Sequence, residues 1–153
     1  MKVLFVNLVY GTGSTGKIIA DIMNLLKKHG NDVKALYGTG GCSDNADAVK
    51  VSGDFGFYFH NAVSRFTDHA GLYSWAATRK MIREIRAFQP DLIHLHTLHG
   101  FYVNYEMLFR FLKEANIPVV WTLHDCWTFT GHCTHFSQVK CVQWQTECRD
   151  CKL

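Results

Sequence analysis

The chain has 153 residues and 17.5 kDa, is 48% hydrophobic, 14% aromatic and 19% charged, and carries a formal net charge of +3. A chain of this size buries about two-thirds of the surface its unfolded form exposes, which excludes a disordered chain, a collagen-like fibre and a mini-protein that needs staples to fold. The charge is too mild to argue for nucleic acid, no run approaches the length of a membrane span, and the start MKVLFVNLVYGTG lacks a signal-peptide pattern, so the sequence reads as one cytoplasmic domain with mostly reduced thiols.

Val3 to Val9 is an apolar run suited to a strand buried on both faces. GTGSTG follows as a turn. Ile18, Ile19, Ile22, Met23, Leu25 and Leu26 then recur at helical spacing, with Ser14 or Thr15 as the cap and Gly30 as the stop. Val33 to Tyr37 is a second strand, ending in the loop GTGGCSDNADA, and Val49 to Ser52 is a short third. Phe55, Phe59, Ala62, Val63 and Phe66 make an aromatic helical face, expected to be core. Ser74 is placed to cap a helix carrying Trp75, Met81, Ile82, Ile85 and Phe88, closed by Pro90. Leu92 to His96 is a strand, Asn104 to Ala115 a helix, and Val119 to Leu123 a strand after Pro118.

Strands alternating with helices predict an α/β, Rossmann-like parallel sheet with helices on both faces, followed by a Cys-rich C-terminal tail. The expected division is 1–125 for the sheet domain and 126–153 for a tail belonging to the same domain. Ligands of such a sheet sit outside the carboxyl ends of the strands. GTGSTG, the histidines His94, His96 and His99, and the segment HDCW all fall there.

Gly11, Gly13 and Gly16 match the dinucleotide fingerprint, but the acid needed about 20 positions on is missing: the second strand ends Ala35-Leu36-Tyr37-Gly38, with no acid before Asp44. GTGSTGK also opens like a phosphate-binding loop, yet Ile18 stands where Ser or Thr must hold magnesium. What survives is generic: glycines that let backbone N–H groups approach an anion at a helix N-terminus, or a plain tight turn. His94 and His96, two apart, project from one side of their strand. With His99 and His124 they make a polar crevice a better reading than isolated core histidines.

GTGSTGK, PDLIHLHTLHGFYVNYE and PVVWTLHDCWTFTGHC together resemble the N-terminal domain of family-four retaining glycosyltransferases of the GT-B fold, in the branch that builds capsular, exopolysaccharide or colanic-acid-like bacterial surface sugars. The resemblance implies a two-domain enzyme with its chemistry in the cleft between domains. Here Gly11, Gly13, Ser14 and Gly16 would face the phosphates of a nucleotide-sugar donor held by the C-terminal domain. His124 would approach the reacting carbon of a hexosyl donor and Asp125 would orient the sugar. His94, His96, His99 and Tyr102 would line the side of a glycan or polyprenyl-linked acceptor. Transfer needs no bound cofactor, nucleic acid is not a partner, and peripheral contact with the inner membrane is allowed for, through Phe57, Tyr58 or Tyr73 beside Arg65 and Lys80. The donor-binding acidic motif belongs to the absent domain, so this chain by itself is not expected to transfer sugar. The different-class alternative is a non-catalytic α/β module that binds a glycan or a protein.

Five of the six cysteines lie between positions 126 and 151. Cys133, Cys141, Cys148 and Cys151 could hold a structural zinc, with His132 and His135 in reserve, although only Cys148 and Cys151 have knuckle spacing. Reduced thiols, disulfides and an iron–sulfur centre are the other readings of the tail.

Overall fold

Apolar runs alternate with amphipathic ones along the chain, and they become strands and helices in that order. The computed structural model describes residues 1–40, 45–67, 69–130 and 133–149. Two compact units divide them, Met1–Thr122 and a second starting at Leu123. The first holds β1 (Lys2–Asn7), α1 (Gly13–Lys28), β2 (Asp32–Tyr37), β3 (Ala48–Lys50), α2 (Asp54–Thr67), α3 (Trp75–Phe88), β4 (Leu92–Leu95), α4 (Tyr105–Ala115) and β5 (Val119–Trp121). The second holds a single-turn α5 (Trp127–Thr130) and two 3-10 turns, Phe136–Val139 and Gln143–Gln145.

The sheet is all parallel, in the order β3-β2-β1-β4-β5. β1 is central, with Phe5 beside Ala35 on one flank and His94 on the other. Some strands stop short of their apolar runs. β4 and β5 end together because Leu95 opposite Trp121 is their last registered pair, and β1 ends at Asn7, whose side chain turns back on the backbone.

Alternation sorts the side chains into two cores. Val3, Phe5, Val33 and Ala35 pack with Ile19 and Met23 of α1. On the other face, Leu4, Val6, Leu36, Ile93 and Leu95 pack with Met81 and Ile85 of α3 and Leu108, Phe111 and Leu112 of α4. Burying a side chain of this size is worth about 1.5 to 3 kcal/mol, and these clusters hold the strand ends in place. Gly30 stops α1 as expected, in the left-handed region at φ 74° with its N–H on the Lys27 carbonyl.

Local expectations fail at the start of α1 and on the aromatic face of α2. The α1 N-cap is Thr12, two residues before Ser14, and it makes no side-chain cap. The positive φ of Gly11 and Gly13 lets the chain enter the helix earlier than the hydroxyls predicted. The aromatic face of α2 is not core: Phe55 is 85% exposed and Phe66 91%, with Tyr58 and Phe59 also in solvent. The buried residues of α2 are Ser64 and His60, and the His60 ring joins a hydrogen-bonded network with Gly71 and Ser74.

Candidate functional site

From β1 the chain runs one way to β2 and β3, and the other way to β4 and β5. The loops leaving the carboxyl ends of β1 and β4 therefore part, which is where open parallel sheets hold ligands. Asn7 sits at the parting point, 2% exposed. Its Nδ2 donates to the Val9 carbonyl (2.8 Å) and to Thr15 Oγ1 (3.2 Å), while its Oδ1 accepts the Thr97 N–H (3.0 Å). One amide side chain thus ties the loop after β1, the first turn of α1 and the loop after β4. The two loops also pack directly, since a Cβ on Gly100 would fall 2.7 Å from the Leu8 side chain.

Gly11, Gly13 and Ser14 are exposed beside this point, and Gly16 is buried. Space above Gly11 and Gly13 is open, whereas a Cβ on Gly16 would come within 3.2 Å of the Gly11 nitrogen. The third glycine therefore lets the loop fold against its own helix. With no side-chain cap on Thr12 and no acid in the first turn of α1, the positive end of the helix is left uncompensated towards the loop.

His94 and His96 do project to one side, with ring centroids 4.2 Å apart and Phe5 packed against both. His94 Nε2 bonds Thr122 Oγ1 at 2.8 Å. His96 is buried, and its carbonyl accepts the Trp121 indole N–H at 2.8 Å. His99 is half-buried on the loop beyond. Tyr102 is fully buried, and its hydroxyl donates to the Thr97 carbonyl at 2.9 Å, which ties it to the loop after β4. Burial pushes its phenol pKa well above the ordinary value. A Cβ on Gly38 would lie 2.2 Å from the Tyr102 ring. That ring covers the end of β2, where a dinucleotide would need room and an acid.

His124 and Asp125 belong to the second unit, both half-buried. Asp125 Oδ1 accepts the Trp127 N–H at 3.0 Å and so opens α5. Phe129, Phe136 and Trp144 pack around one another, with centroids 4.9 to 6.1 Å apart. Cys126, Cys141 and Cys148 are free thiols. Among the described residues no three His, Cys, Asp or Glu side chains are grouped to hold a metal, while Cys151 and His132 lie outside those residues. A groove of about 430 Å³ lined by Ile85, Pro90, Phe111 and Ile117 lies at the amino ends of β4 and β5. That edge of a parallel sheet is not where ligands bind. Asn7 is the residue that the sequence reading missed; its only signal was a polar amide closing an apolar strand.

Residues 15–147 match the family model described as Glycosyltransferase Family 4. The chain is also 34% identical to WcaC of Escherichia coli (strain K12), named as a colanic acid biosynthesis glycosyl transferase, over 43% of this chain and 17% of that protein. The aligned part of the chain thus spans less than a fifth of that relative's length. No helix among the described residues is long and apolar enough to cross a membrane.

Proposed function

The chain belongs to glycosyltransferase family 4, and on that premise we propose that it forms the acceptor-side wall of a retaining enzyme that moves a hexosyl group from a nucleotide sugar to a glycan or polyprenyl-linked acceptor. One observation carries this reading. Asn7 joins an uncapped helix N-terminus and a histidine-bearing loop at the switch point of the sheet.

Charge develops on the donor diphosphate as the glycosidic bond breaks. Backbone N–H groups of residues 12–16 at the N-terminal end of α1 favour that charge without a metal ion, while the Gly11 N–H closes the loop on the Gly16 carbonyl. A fixed Asn7 keeps those donors from reorganising during the reaction. His99 and the His94–His96 edge line the acceptor side. His124 meets the sugar near its reacting carbon and Asp125 holds one of its hydroxyls. With retention, the acceptor hydroxyl attacks from the face the diphosphate leaves, and its proton passes to that diphosphate.

The name of the relative supports a bacterial surface polysaccharide as the acceptor class. Such an acceptor, carried on a polyprenyl diphosphate, would be met at the inner membrane. The exposed aromatics Phe55, Tyr58, Phe59 and Phe66 of α2 support peripheral contact there. Phe57, by contrast, is half-buried against Phe101.

The test is transfer of radiolabelled sugar by the full gene product, from a panel of nucleotide sugars and with metal chelated. Transfer is expected to persist under chelation and to fall by about 10² or more in His124→Ala, the scale for losing a group that acts on the transition state. Undiminished transfer in that variant, or no transfer with any donor, overturns the proposal.

A further inference from the structure

His60 is fully buried in the middle of α2, and both of its ring nitrogens are engaged. The Gly71 N–H donates to Nε2 at 3.1 Å, so Nε2 holds the lone pair and Nδ1 the hydrogen. Nδ1 then donates to Ser74 Oγ at 2.6 Å, and the Ser74 hydroxyl donates to the Phe101 carbonyl at 3.0 Å. One imidazole therefore spans α2, the turn before α3, and the corner between His99 and Tyr102.

The surroundings are built for this chain of bonds. Ser74 occupies the N-cap position of α3 but caps nothing with its side chain, and its backbone is left-handed at φ 61°. Phe101 is left-handed too, at φ 63°. Non-glycine residues keep that conformation where their surroundings over-determine it. Gly71 must lack a Cβ, which would fall 1.7 Å from the Tyr105 ring, and its carbonyl accepts the Tyr105 N–H at 2.8 Å. Polar bonds then continue from Ser74 through Thr78 to the Asn104 N–H.

We propose that His60 is a positioning residue that clamps the Gly71–Ser74 turn to the Phe101 corner, so that the exposed aromatic face of α2 and the His99–Tyr102 loop are held as one body, released when the imidazole takes a proton. A proton on Nε2 would set one N–H against another at Gly71 and leave both without an acceptor. Burial pushes the His60 pKa down, while the Phe101 carbonyl works the other way. Tyr73 and Phe101 meet the ring edge-on at 5.4 Å, and Tyr105 stands behind Gly71. Among the described residues, no charged side chain is hydrogen-bonded to or packed on the ring to favour an imidazolium. The link from this clamp to acceptor binding rests on the function proposed above; the clamp itself does not.

The experiment therefore reads the clamp in the full ¹⁵N-labelled chain, by NMR, as pH is lowered from 7.5 to 4.5. His60 is expected in the Nδ1–H tautomer, titrating below the ordinary histidine value because it is buried. The Gly71, Phe101 and Tyr102 amides should shift with the His60 midpoint while those of α1 and β2 stay still. His60→Gln keeps a donor and an acceptor without a titration, so it should retain the neutral spectrum and lose the low-pH step. An Nε2–H tautomer, a midpoint at or above the ordinary histidine value, or an unmoved Phe101 overturns the proposal. So does global unfolding in the same step, or the same step surviving in folded His60→Gln. If His60→Gln does not fold, the wild-type titration decides alone.

Discussion

Helices α2 and α4 carry apolar residues at the same spacing and turn them in opposite directions. α4 buries Leu108, Phe111 and Leu112 against the sheet, and Asn104 caps it by accepting the Met107 N–H at 2.9 Å. α2 sends Phe55, Tyr58, Phe59 and Phe66 into solvent and buries His60 and Ser64 instead. Periodicity says which residues share a face; the partner across from that face decides whether it is dry. The inward side of α4 meets strand side chains, whereas that of α2 meets the Gly71, Ser74 and Phe101 backbone and hydroxyl groups. Each exposed Phe forgoes about 1.5 to 3 kcal/mol of burial, and aromatic surface grouped this way marks a contact.

The contrast can be broken at either helix. Leu108→Ala should cost the most, about 2 to 5 kcal/mol, because it empties a fully buried site; urea unfolding measures it. Asn104→Ala should cost about 1 to 2 kcal/mol by the loss of a cap, more if the Leu72 carbonyl it also serves stays dry. A smaller, pH-dependent effect belongs to His60. Its folded pKa lies below the ordinary 6.5, so its contribution to stability is complete above pH 6.5 and is lost as pH falls through the folded value. Unfolding curves across that range should be steeper in pH for the wild type than for His60→Gln. Smallest of all, Phe55→Ser combined with Phe66→Ser should change stability by about 0.5 kcal/mol or less per site while abolishing sedimentation with anionic lipid vesicles. A loss comparable to that of Leu108→Ala would mean the α2 face is covered, and the contrast would fail.

Punctuation made the fold legible in the sequence. Gly30, Pro90 and Pro118 separate the runs, and an apolar run buried on both faces, as in β1, needs no alternation to be recognised. The site was legible only in part. Strand-end placement picked out GTGSTG and the His94–His99 segment, because parallel topology fixes where loops emerge. Asn7 was not legible, since nothing local shows that a β1 side chain will meet the Thr97 N–H ninety residues on. The burial of Tyr102 depends on the space left by Gly38, a contact between distant segments. The outward turn of α2 is hidden in the sequence because its aromatic spacing suits a core, and only the polar network on its other side says otherwise. In the tail, cysteine spacing alone could not fix a ligand set: Cys133, Cys141 and Cys148 are not grouped for a metal among the described residues.

The loops after β1 and β4 are expected to receive the substrates. Amide shift mapping of the full chain with a short-chain prenyl diphosphate-linked sugar tests this most directly. The expected result is shifts centred on residues 94–102, which line the acceptor side. Shifts centred on the groove lined by Ile85, Phe111 and Ile117, or no shifts at the strand-end loops, would contradict it.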